Sequence, residues 1–293
     1  MDSYFNARDE AYQRFTRERK ALWDQIAAKE VKKVRWSSYY HRRLNTTYRF
    51  IIPQGSTVLE VGCGRGDLLA FLKPSVGVGV DFSEGMIAAA KEMHPECEFF
   101  CADAHTLPDL GKQFDFIILS DLVNDVWDVQ TVLAQLKPYC TSKTRLVINF
   151  YNRLWEFPLK VAQALHMATP LLDQNWLTQQ DMRNLLQLCD YEVVRTSSEV
   201  LFPFYFPLLS GLFNRVLARL TLFKFLCMTN FLIARPRGGL REDKPSVSVV
   251  IAARNEAGNI AQIFERVPEM GSSTELIFVE GHSKDNTYEV IED

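Results

Sequence analysis

One stretch of eleven residues, TVLEVGCGRGD at 57–67, constrains the fold of this chain more than any other. Its first part is apolar and β-branched, which predicts a short buried strand. Three glycines follow at alternate positions, and the helical spacing of the apolar residues after them predicts a helix. A strand, a glycine loop and a helix in this order open a βαβ nucleotide-binding unit. We therefore expect an α/β protein built around a parallel sheet.

The glycine loop comprises Gly62, Cys63, Gly64 and Gly66. Glycine permits backbone angles that a Cβ forbids, and it lets a ligand approach the chain closely. Glu60 ends the preceding strand, where a buried carboxylate is costly unless another group pairs with it. This acid would repel a pyrophosphate and attract a cationic ligand. Asp67 also stands where a dinucleotide-binding GxGxxG motif has its third glycine, so both acids disfavour a nicotinamide site.

Two further predicted strands end in acidic residues. The apolar run 76–80 ends at Asp81, which is placed to accept hydrogen bonds from a ribose diol, and Ser83 is expected to cap the next helix. A third strand, in EFFCADAHTL at 98–107, ends at Asp103. Its carboxylate is placed to accept a hydrogen bond from an adenine amino group. The three strand ends together predict a nucleoside site at one edge of the sheet.

These three stretches resemble the class I S-adenosylmethionine-dependent methyltransferases. The matching segments are VLEVGCGRGDLL (58–69), GVGVDFSEGMI (77–87) and CADAHTLP (101–108). Residues 114–126 and 136–148 are similar to the fourth and fifth strands of that family. The resemblance covers about residues 35–236. It implies a Rossmann-like, doubly wound, seven-stranded sheet that is mostly parallel and ends in an antiparallel hairpin.

The resemblance also implies S-adenosyl-L-methionine as the cofactor, and no metal. It places Glu60 near the methionine amino group, Asp81 on the ribose and Asp103 on the adenine. The full set of cofactor-binding residues that we expect is Glu60, Gly62, Cys63, Gly64, Gly66, Asp81, Phe82, Met86, Asp103, Ala104 and Ser120. Methyl transfer depends mainly on the alignment of the nucleophile, the methyl group and the sulfur. A catalytic base is needed only when the acceptor must lose a proton.

Two residues are candidates for that base. His41 precedes the first strand, in a region that in this family often folds over the cofactor or substrate as a lid. Asp121 follows the apolar strand 114–119, where polar side chains beyond the carboxyl end face the reaction centre. Asp121 is placed to orient or deprotonate a hydroxyl acceptor, or else to cap a helix over 127–136. The apolar and aromatic insertion at 153–180, which includes Leu165 and Met167, is expected to form part of the acceptor pocket.

Residues 201–225 are the most apolar part of the chain. Their uncharged run of about fifteen residues is shorter than the ~20 that a membrane-spanning helix needs. We expect a buried or substrate-covering helix here, with a helix lying on a membrane surface as the alternative. Residues 1–50 hold twelve basic and six acidic residues, on predicted amphipathic helices. They form either a solvated face or a contact with anionic lipid or substrate.

The overall composition indicates a reduced cytosolic protein. The net charge is −3, so no global field draws the chain to nucleic acid, and none of the six cysteines forms a CxxC pair. The expected domains are a helical lid at 1–50, the cofactor domain at 51–236, a linker at 237–246 and a βαβ fragment at 247–293. Membrane association, if present, is expected at the cytoplasmic face.

The C-terminal segments SVVIAARNEAGNI (248–260) and ELIFVEGHSKDNT (275–287) resemble the opening of inverting family 2 glycosyltransferases. In that family the residues matching Glu256 and Glu280 contact the nucleotide of a sugar donor, and Asp285 matches a loop acid. A complete domain of this kind needs about 200 residues, so we expect a loosely held fragment.

The sequence thus predicts a methyltransferase acting on a small-molecule or glycan-linked acceptor, with O-methylation favoured, in surface polysaccharide or lipid-linked glycan synthesis. The alternatives are a non-catalytic cofactor-binding module of a glycosyltransferase assembly and an NAD-dependent oxidoreductase.

Overall fold

The computed structural model of this protein describes residues 2–28, 35–164, 172–207, 209–237 and 246–292. The chain divides into two compact units, Met1–Arg237 and Gly238–Asp293. Leu165 and Met167 of the expected acceptor insertion, and residues 238–245 of the expected linker, lie outside the described residues.

The first unit contains seven strands and nine helices in the part of the chain that the structure describes. The strands are β1 (Thr57–Val61), β2 (Val76–Asp81), β3 (Glu98–Cys101), β4 (Phe114–Ser120), β5 (Cys140–Tyr151), β6 (Tyr191–Glu199) and β7 (Thr229–Pro236). The helices are α1 (Asp2–Ala28), α2 (Arg35–Ile51), α3 (Asp67–Leu72), α4 (Glu84–Met93), α5 (Val129–Gln135), α6 (Glu156–Ala164), α7 (Gln179–Leu188), α8 (Leu209–Gly211) and α9 (Thr221–Lys224).

All seven strands form one sheet in the order β3-β2-β1-β4-β5-β7-β6. The first five strands are parallel, and β7 runs antiparallel to both β5 and β6. The predicted seven-stranded, mostly parallel sheet with a final antiparallel hairpin is therefore confirmed. The strand order reverses between β1 and β4, and ligands of such sheets bind beyond the carboxyl ends of the strands at this point.

The two faces of the sheet are covered by different helices. On one face, buried residues of β1, β4 and β5 pack with α5 and α7 in a single apolar cluster. On the other face, α2, α3 and α4 pack over Val58, Ile118 and Val147, which are all fully buried. Burial on both faces explains why these strands read as continuous apolar runs in the sequence. It also fixes the strand ends, on which the polar residues of the site stand.

The structure corrects two details of the sequence-based expectations. Residues 201–225 form no single buried helix; they contain α8, a π-helical turn, a 3₁₀ turn and α9, with many apolar side chains exposed. Helix α5 is capped by Asp128, which accepts hydrogen bonds from the amides of Gln130 and Thr131. The helix-capping alternative for Asp121 was therefore wrong.

None of the helices that the structure describes combines the length and the hydropathy needed to cross a membrane.

The second unit is a small βαβα arrangement. Strands β8 (Ser246–Ala253) and β9 (Ser273–Glu280) are parallel and are followed by α10 (Ile260–Arg266) and α11 (Thr287–Glu292), respectively. The two strands alternate between exposed and partly buried residues, and Val250, Ile277 and Val279 are among the exposed ones. This alternation fits a two-stranded sheet that has one face covered by the rest of the unit and the other face exposed.

Phe99 of β3 explains why the second strand needs a small residue in its middle. A Cβ on Gly79 of β2 would lie 2.6 Å from Cδ1 of Phe99 and 2.8 Å from Sγ of Cys63. Both neighbours are buried core side chains with little room to move. The glycines of β2 thus allow β3 to pack its phenylalanine close to the backbone beside the glycine loop.

We expect Gly79→Ala to destabilise the first unit by roughly 1–3 kcal/mol, because an added methyl overpacks the core. Gly211→Ala is the matched control, since a Cβ there meets nothing within 4 Å and the residue has helical backbone angles. That control should be neutral or stabilising by up to about 1 kcal/mol. Chemical denaturation of both variants measures the two changes, and equal stabilities would contradict this packing account.

Candidate active site

The glycine loop between β1 and α3 has the left-handed backbone conformation that its composition allows. Gly62 and Gly64 have φ angles of 74° and 52°. A Cβ on Gly64 would meet nothing within 4 Å, so this glycine faces open space. A Cβ on Gly62, in contrast, would lie 2.7 Å from Cδ1 of Leu122, in the segment after β4. The loop is therefore open at Gly64 and packed against the end of β4 at Gly62.

Asp81 links this loop to the end of β2. The amide of Gly64 donates to its Oδ2 at 2.9 Å, and the amide of Ser83 donates to its Oδ1 at 3.0 Å. Burial raises the pKa of Asp81, while these two hydrogen bonds oppose the rise. Ser83 in turn caps α4, as predicted, by accepting a hydrogen bond from the amide of Met86. An ionised carboxylate offers about four lone-pair sites, so Asp81 keeps capacity for a further donor such as a hydroxyl.

Glu60 is buried at the end of β1, and its Oε2 has no hydrogen-bond partner among the described residues. Burial raises the pKa of Glu60 to about 8, an effect that the backbone hydrogen bond from Leu69 opposes and the charge of Asp81 increases. A buried carboxyl that lacks a partner is costly unless a ligand supplies one. Glu60 is thus suited to a cationic group placed next to the glycine loop.

Asp103, beyond β3, is engaged on both oxygens. Its Oδ1 accepts from the amide of His105 at 2.9 Å and lies 2.7 Å from Nδ1 of the same residue, while its Oδ2 accepts from the hydroxyl of Tyr12 at 2.7 Å. Burial opposes ionisation, but the hydrogen bonds from His105 and Tyr12 outweigh it and lower the pKa of Asp103 to about 2. The carboxylate is therefore ionised throughout the physiological range.

Tyr12 belongs to α1, which lies across the carboxyl ends of β1, β2, β3 and β4. Asp24 accepts hydrogen bonds from the hydroxyl of Ser83 and the amide of Gly85. Arg65, in the glycine loop, donates to the carbonyls of Ile26 and Ala27. Helix α1 is thus held by groups of the loops that form the site.

A second set of contacts holds α1 near the end of β4. Arg19 Nε and Trp23 Nε1 each donate to Asp125 at 2.8 Å. The rings of Tyr12 and Phe15 contact Trp127 edge on, with centroids 6.2 and 5.1 Å away. The helix therefore covers the cleft from Asp103 to the segment after β4.

Asp121 stands at the end of β4, beside the Leu122 that contacts the glycine loop, and is partly exposed. Its carboxylate oxygens accept from the hydroxyl of Tyr40 at 3.2 Å and from Nδ2 of Asn149 at 2.5 Å. Burial raises the pKa of Asp121 to about 7, although these two hydrogen bonds lower it. Its φ of 55° is a strained conformation, of the kind that clusters at functional sites.

The partners of Asp121 are themselves held in place. The hydroxyl of Tyr48, which is fully buried, donates to Oδ1 of Asn149, so the amide nitrogen of Asn149 points to Asp121. The hydroxyl of Thr229 donates to that of Tyr40 at 3.2 Å. Four residues from α2, β5 and β7 thus form a network around one carboxyl, which we call the Asp121 network: Tyr40, Tyr48, Asn149 and Thr229.

The structure brings most of the expected site residues to one edge of the sheet. At the ends of β1 to β4 or in the loops that follow them lie Glu60, Gly62, Cys63, Gly64, Gly66, Asp81, Phe82, Asp103, Ala104, Ser120 and Asp121. Met86 is buried in the first turn of α4. His41 lies on the exposed side of α2, where its ring meets that of Tyr40 edge on at 5.4 Å, and Tyr40 rather than His41 contacts Asp121.

Three tyrosines of the site, Tyr40, Tyr48 and Tyr12, were not predicted from the sequence. Tyr40 and Tyr48 are eight residues apart on α2 and therefore share one helix face, which the apolar spacing of that helix could have indicated. Tyr12 belongs to the apolar stripe of α1, but nothing local points to its partner 91 residues away. No group of three or more His, Cys, Asp or Glu side chains able to hold a metal occurs among the residues with a described position.

Comparisons with known proteins identify the domain. Residues 58–142 match the model of the family described as methyltransferase domain. The chain is 31% identical over 93 residues to the tRNA (carboxymethyluridine(34)-5-O)-methyltransferase of Saccharomyces cerevisiae, covering 32% of this chain and 33% of that protein. It is also 31% identical over 136 residues to the demethylmenaquinone methyltransferase of Oceanobacillus iheyensis, covering 40% of this chain and 57% of that protein. The chain thus spans between a third and three fifths of these relatives.

Solved structures agree on the fold. A SAM-dependent methyltransferase of Thermotoga maritima aligns with a TM-score of 0.57 at 12% identity, covering 74% of this chain and 99% of that one. The magnesium protoporphyrin IX methyltransferase of Synechocystis, solved with bound SAH, gives 0.51 at 17% identity and covers 78% and 98%. The first unit therefore has the class I methyltransferase fold, and its residues 58–142 match a methyltransferase domain, for which the sequence predicts S-adenosylmethionine as the cofactor.

The described residues fit this cofactor. It carries a positive sulfonium and an ammonium group, and the unpartnered carboxyl of Glu60 suits such charges. The open space at Gly64 admits a ligand close to the backbone. Asp81 is free to accept from a hydroxyl, whereas Asp103 must share or exchange its bond with Tyr12 if it is to accept from an adenine amino group. A pyrophosphate, by contrast, would face an acidic group in this loop.

We expect the affinity for S-adenosylmethionine to rise from pH 6 to pH 8. The pKa of Glu60 is about 8 in the free protein, and a nearby cation lowers it, so binding below pH 8 releases a proton. The dissociation constant should fall by up to about tenfold per pH unit in this range. Calorimetric titration in buffers of different ionisation enthalpy measures both the affinity and the proton release.

Glu60→Gln is the matched control, because it keeps the side-chain volume and removes the titration. Its affinity should change little between pH 6 and pH 8, and it should release no proton on binding. An equal pH dependence in the two proteins would show that another group is responsible.

Proposed function

We propose that this protein transfers a methyl group from S-adenosylmethionine to a hydroxyl oxygen of its acceptor, with Asp121 as the catalytic base. The proposal rests on the position and surroundings of the Asp121 carboxyl. It is partly exposed next to the glycine loop, its pKa is raised to about 7, and two oriented donors hold it. A base with a pKa near the working pH is the group that a hydroxyl acceptor requires.

In this mechanism the bound cofactor supplies an electrophilic methyl group on a sulfonium. Asp121 would hold the acceptor hydroxyl by a hydrogen bond and would accept its proton on a carboxylate oxygen as the hydroxyl oxygen takes up the methyl group. Tyr40 and Asn149 stabilise the ionised carboxylate before the transfer. Tyr48 orients the Asn149 amide, so it acts through Asn149 as a positioning residue. His41, on the exposed side of α2, stays a second candidate base from the sequence alone.

Two relatives bear on the acceptor. The yeast relative is named as a tRNA 5-O-methyltransferase, which agrees with an oxygen acceptor. The name of the Oceanobacillus relative specifies demethylmenaquinone, an aromatic small molecule. A row of three aromatic rings begins at Tyr40, which contacts Asp121. The ring centroid of Tyr151 lies 6.1 Å from that of Tyr40 and 6.4 Å from that of Trp176. These rings favour an acceptor with an apolar or aromatic part.

The glycan setting is a separate proposal. It rests on the resemblance of residues 248–260 and 275–287 to glycosyltransferases and is supported by the parallel β8–β9 pair with Glu280 at a strand end. Methyl transfer to a panel of sugar and lipid-linked glycan acceptors tests it, and turnover of other acceptors but of none of these would contradict it. A protein that binds S-adenosylmethionine but turns over no acceptor would instead support the cofactor-binding module, and binding of NAD alone would support the oxidoreductase.

Asp121→Asn should lower kcat by roughly 10²–10⁴-fold, since it removes a general base, and should change the dissociation constant of S-adenosylmethionine by less than about twofold. The measurement is formation of S-adenosylhomocysteine with a panel of phenols, hydroxylated quinones, sugars and tRNA. Unchanged turnover on every accepted hydroxyl compound would contradict the role of Asp121.

Tyr40→Phe should move the acid limb of the kcat–pH profile to higher pH. The lost hydrogen bond stabilises the ionised form of Asp121, so its removal raises the pKa of Asp121 above about 7. Tyr39→Phe is the control, because the Tyr39 hydroxyl contacts Asn214 and Ser210 instead. The same profile in wild type and Tyr40→Phe would show that Tyr40 does not act on the base.

A further inference from the structure

In the segment 201–228, two polar side chains of the described residues are buried and many large apolar side chains are exposed. Asn214 is 3% exposed; its side chain accepts from the amide of Phe202 at 2.9 Å and donates to the carbonyl of Phe202 at 2.7 Å. Ser210, also buried, bonds the backbone of Phe204 and Phe206. The buried side chains of Asn214 and Ser210 therefore supply hydrogen-bond partners to the irregular backbone at Phe202, Phe204 and Phe206. The exposed side chains of the segment are not needed for this purpose.

The outward side chains of this segment are large and apolar. Nine of them are 41–72% exposed: Tyr205, Phe206, Leu209, Leu212, Val216, Leu220, Leu222, Phe225 and Leu226. Single exposed apolar residues are common on proteins, but nine within 22 residues are an unusual concentration, and large exposed apolar areas mark interaction sites.

Helix α6 extends this surface. Trp155 Nε1 donates to the carbonyl of Leu226 at 2.8 Å, and Asn152 Nδ2 donates to the carbonyl of Phe225, also at 2.8 Å. These bonds join the start of α6 to the end of the segment. Three exposed apolar side chains follow on the α6 side, namely Leu154, Phe157 and Val161. We call the twelve exposed residues of both parts the apolar face.

Most charged side chains around the apolar face are positive, although Glu199 just before the segment interacts with Arg43 and Arg219. Residues 200–228 contain Arg215, Arg219 and Lys224, all exposed, and no Asp or Glu. On the α6 side the acid Glu156 is paired with Lys160 at 2.9 Å. The whole chain carries a net charge of −3, so the positive charge of this segment is a local feature and does not follow from the overall composition. Apolar side chains with flanking cations are the combination that binds anionic lipid surfaces.

We propose that the apolar face docks on the surface of an anionic phospholipid bilayer, with its leucines and phenylalanines in the interfacial layer and its three cations at the headgroups. The short helices and turns of residues 209–224 suit a segment that lies on the membrane, because the helices described here are not long and apolar enough to cross it. The flanking charges favour lipid over a second copy of the chain, since two such faces would bring like charges together.

The apolar face adjoins the Asp121 network. The Tyr39 hydroxyl accepts from Asn214 Nδ2 at 3.1 Å, and its ring lies 5.7 Å from that of Tyr205. The next residue on α2, Tyr40, contacts Asp121. Docking would therefore place the acceptor side of the cleft near the bilayer and favour a membrane-borne hydroxyl acceptor, an extension that rests on the proposed function. Binding to vesicles needs neither cofactor nor turnover, so the docking itself is tested separately.

The test is co-flotation of the full chain with vesicles of phosphatidylcholine alone or with about 30% phosphatidylglycerol. We expect binding to the anionic vesicles and at least about tenfold weaker binding to the neutral ones, given three cations near the surface. Leu222→Glu, which alters a side chain that is 72% exposed, should weaken binding by about tenfold or more. Leu188→Glu is the matched control, because Leu188 is 67% exposed on α7, outside the apolar face.

Charge variants separate the two contributions. Arg215→Gln and Lys224→Gln should each weaken anionic-vesicle binding by about fivefold, whereas Lys143→Gln, an exposed lysine elsewhere, should have no effect. Thermal unfolding checks that all variants are folded. The proposal is overturned if wild type fails to float, if Leu222→Glu and Leu188→Glu bind alike, or if sedimentation shows that Leu222→Glu dissociates an oligomer without any vesicle binding in wild type.

Discussion

The site depends on one pair of hydrogen bonds, those that Asp81 accepts from the amides of Gly64 and Ser83. They fix the glycine loop after β1 against the loop after β2, next to the place where the strand order of the sheet reverses between β1 and β4. A carboxylate is costly to bury, and these two amides offset part of that cost. Ser83 is thereby placed to cap α4 and to contact Asp24 of α1. The lid and both loops meet at this one acid.

Four acids at neighbouring strand ends have different surroundings and therefore different chemistry. Glu60 lacks a partner for one oxygen and has a pKa of about 8; Asp103 has donors on both oxygens and a pKa of about 2. Asp121, with a pKa of about 7, lies between them, and burial raises the pKa of Asp81 as well. The environment of each acid, rather than its residue type, separates a group suited to a cation (Glu60), a permanently charged hydrogen-bond acceptor (Asp103) and the base that we propose (Asp121).

The sheet and its acids could be predicted because they follow local rules. Parallel strands that are buried on both faces read as apolar runs, and the acids stand where those runs stop. The Asp121 network could not be predicted, since it joins α2, β4, β5 and β7 through side chains that are up to 189 residues apart. The segment 201–228 was misjudged for a different reason. Its apolar composition predicts burial, but Asn214 and Ser210 occupy the inside positions and leave the apolar side chains outside.

Helix α1 has a consequence for the order in which the molecule is built. It leaves the ribosome before its partners Asp103, Asp125 and Asp173, which come 91, 106 and 154 residues after the residues that bind them. At roughly 5–20 residues per second, α1 waits about ten seconds or more for the last of these partners. The contacts of α1 join residues far apart in the sequence, so forming them requires the closure of long loops. We therefore expect them to form late and to add little to the folding nucleus. The sheet can therefore assemble with its cofactor edge still open, and the N-terminal helix completes the cleft afterwards.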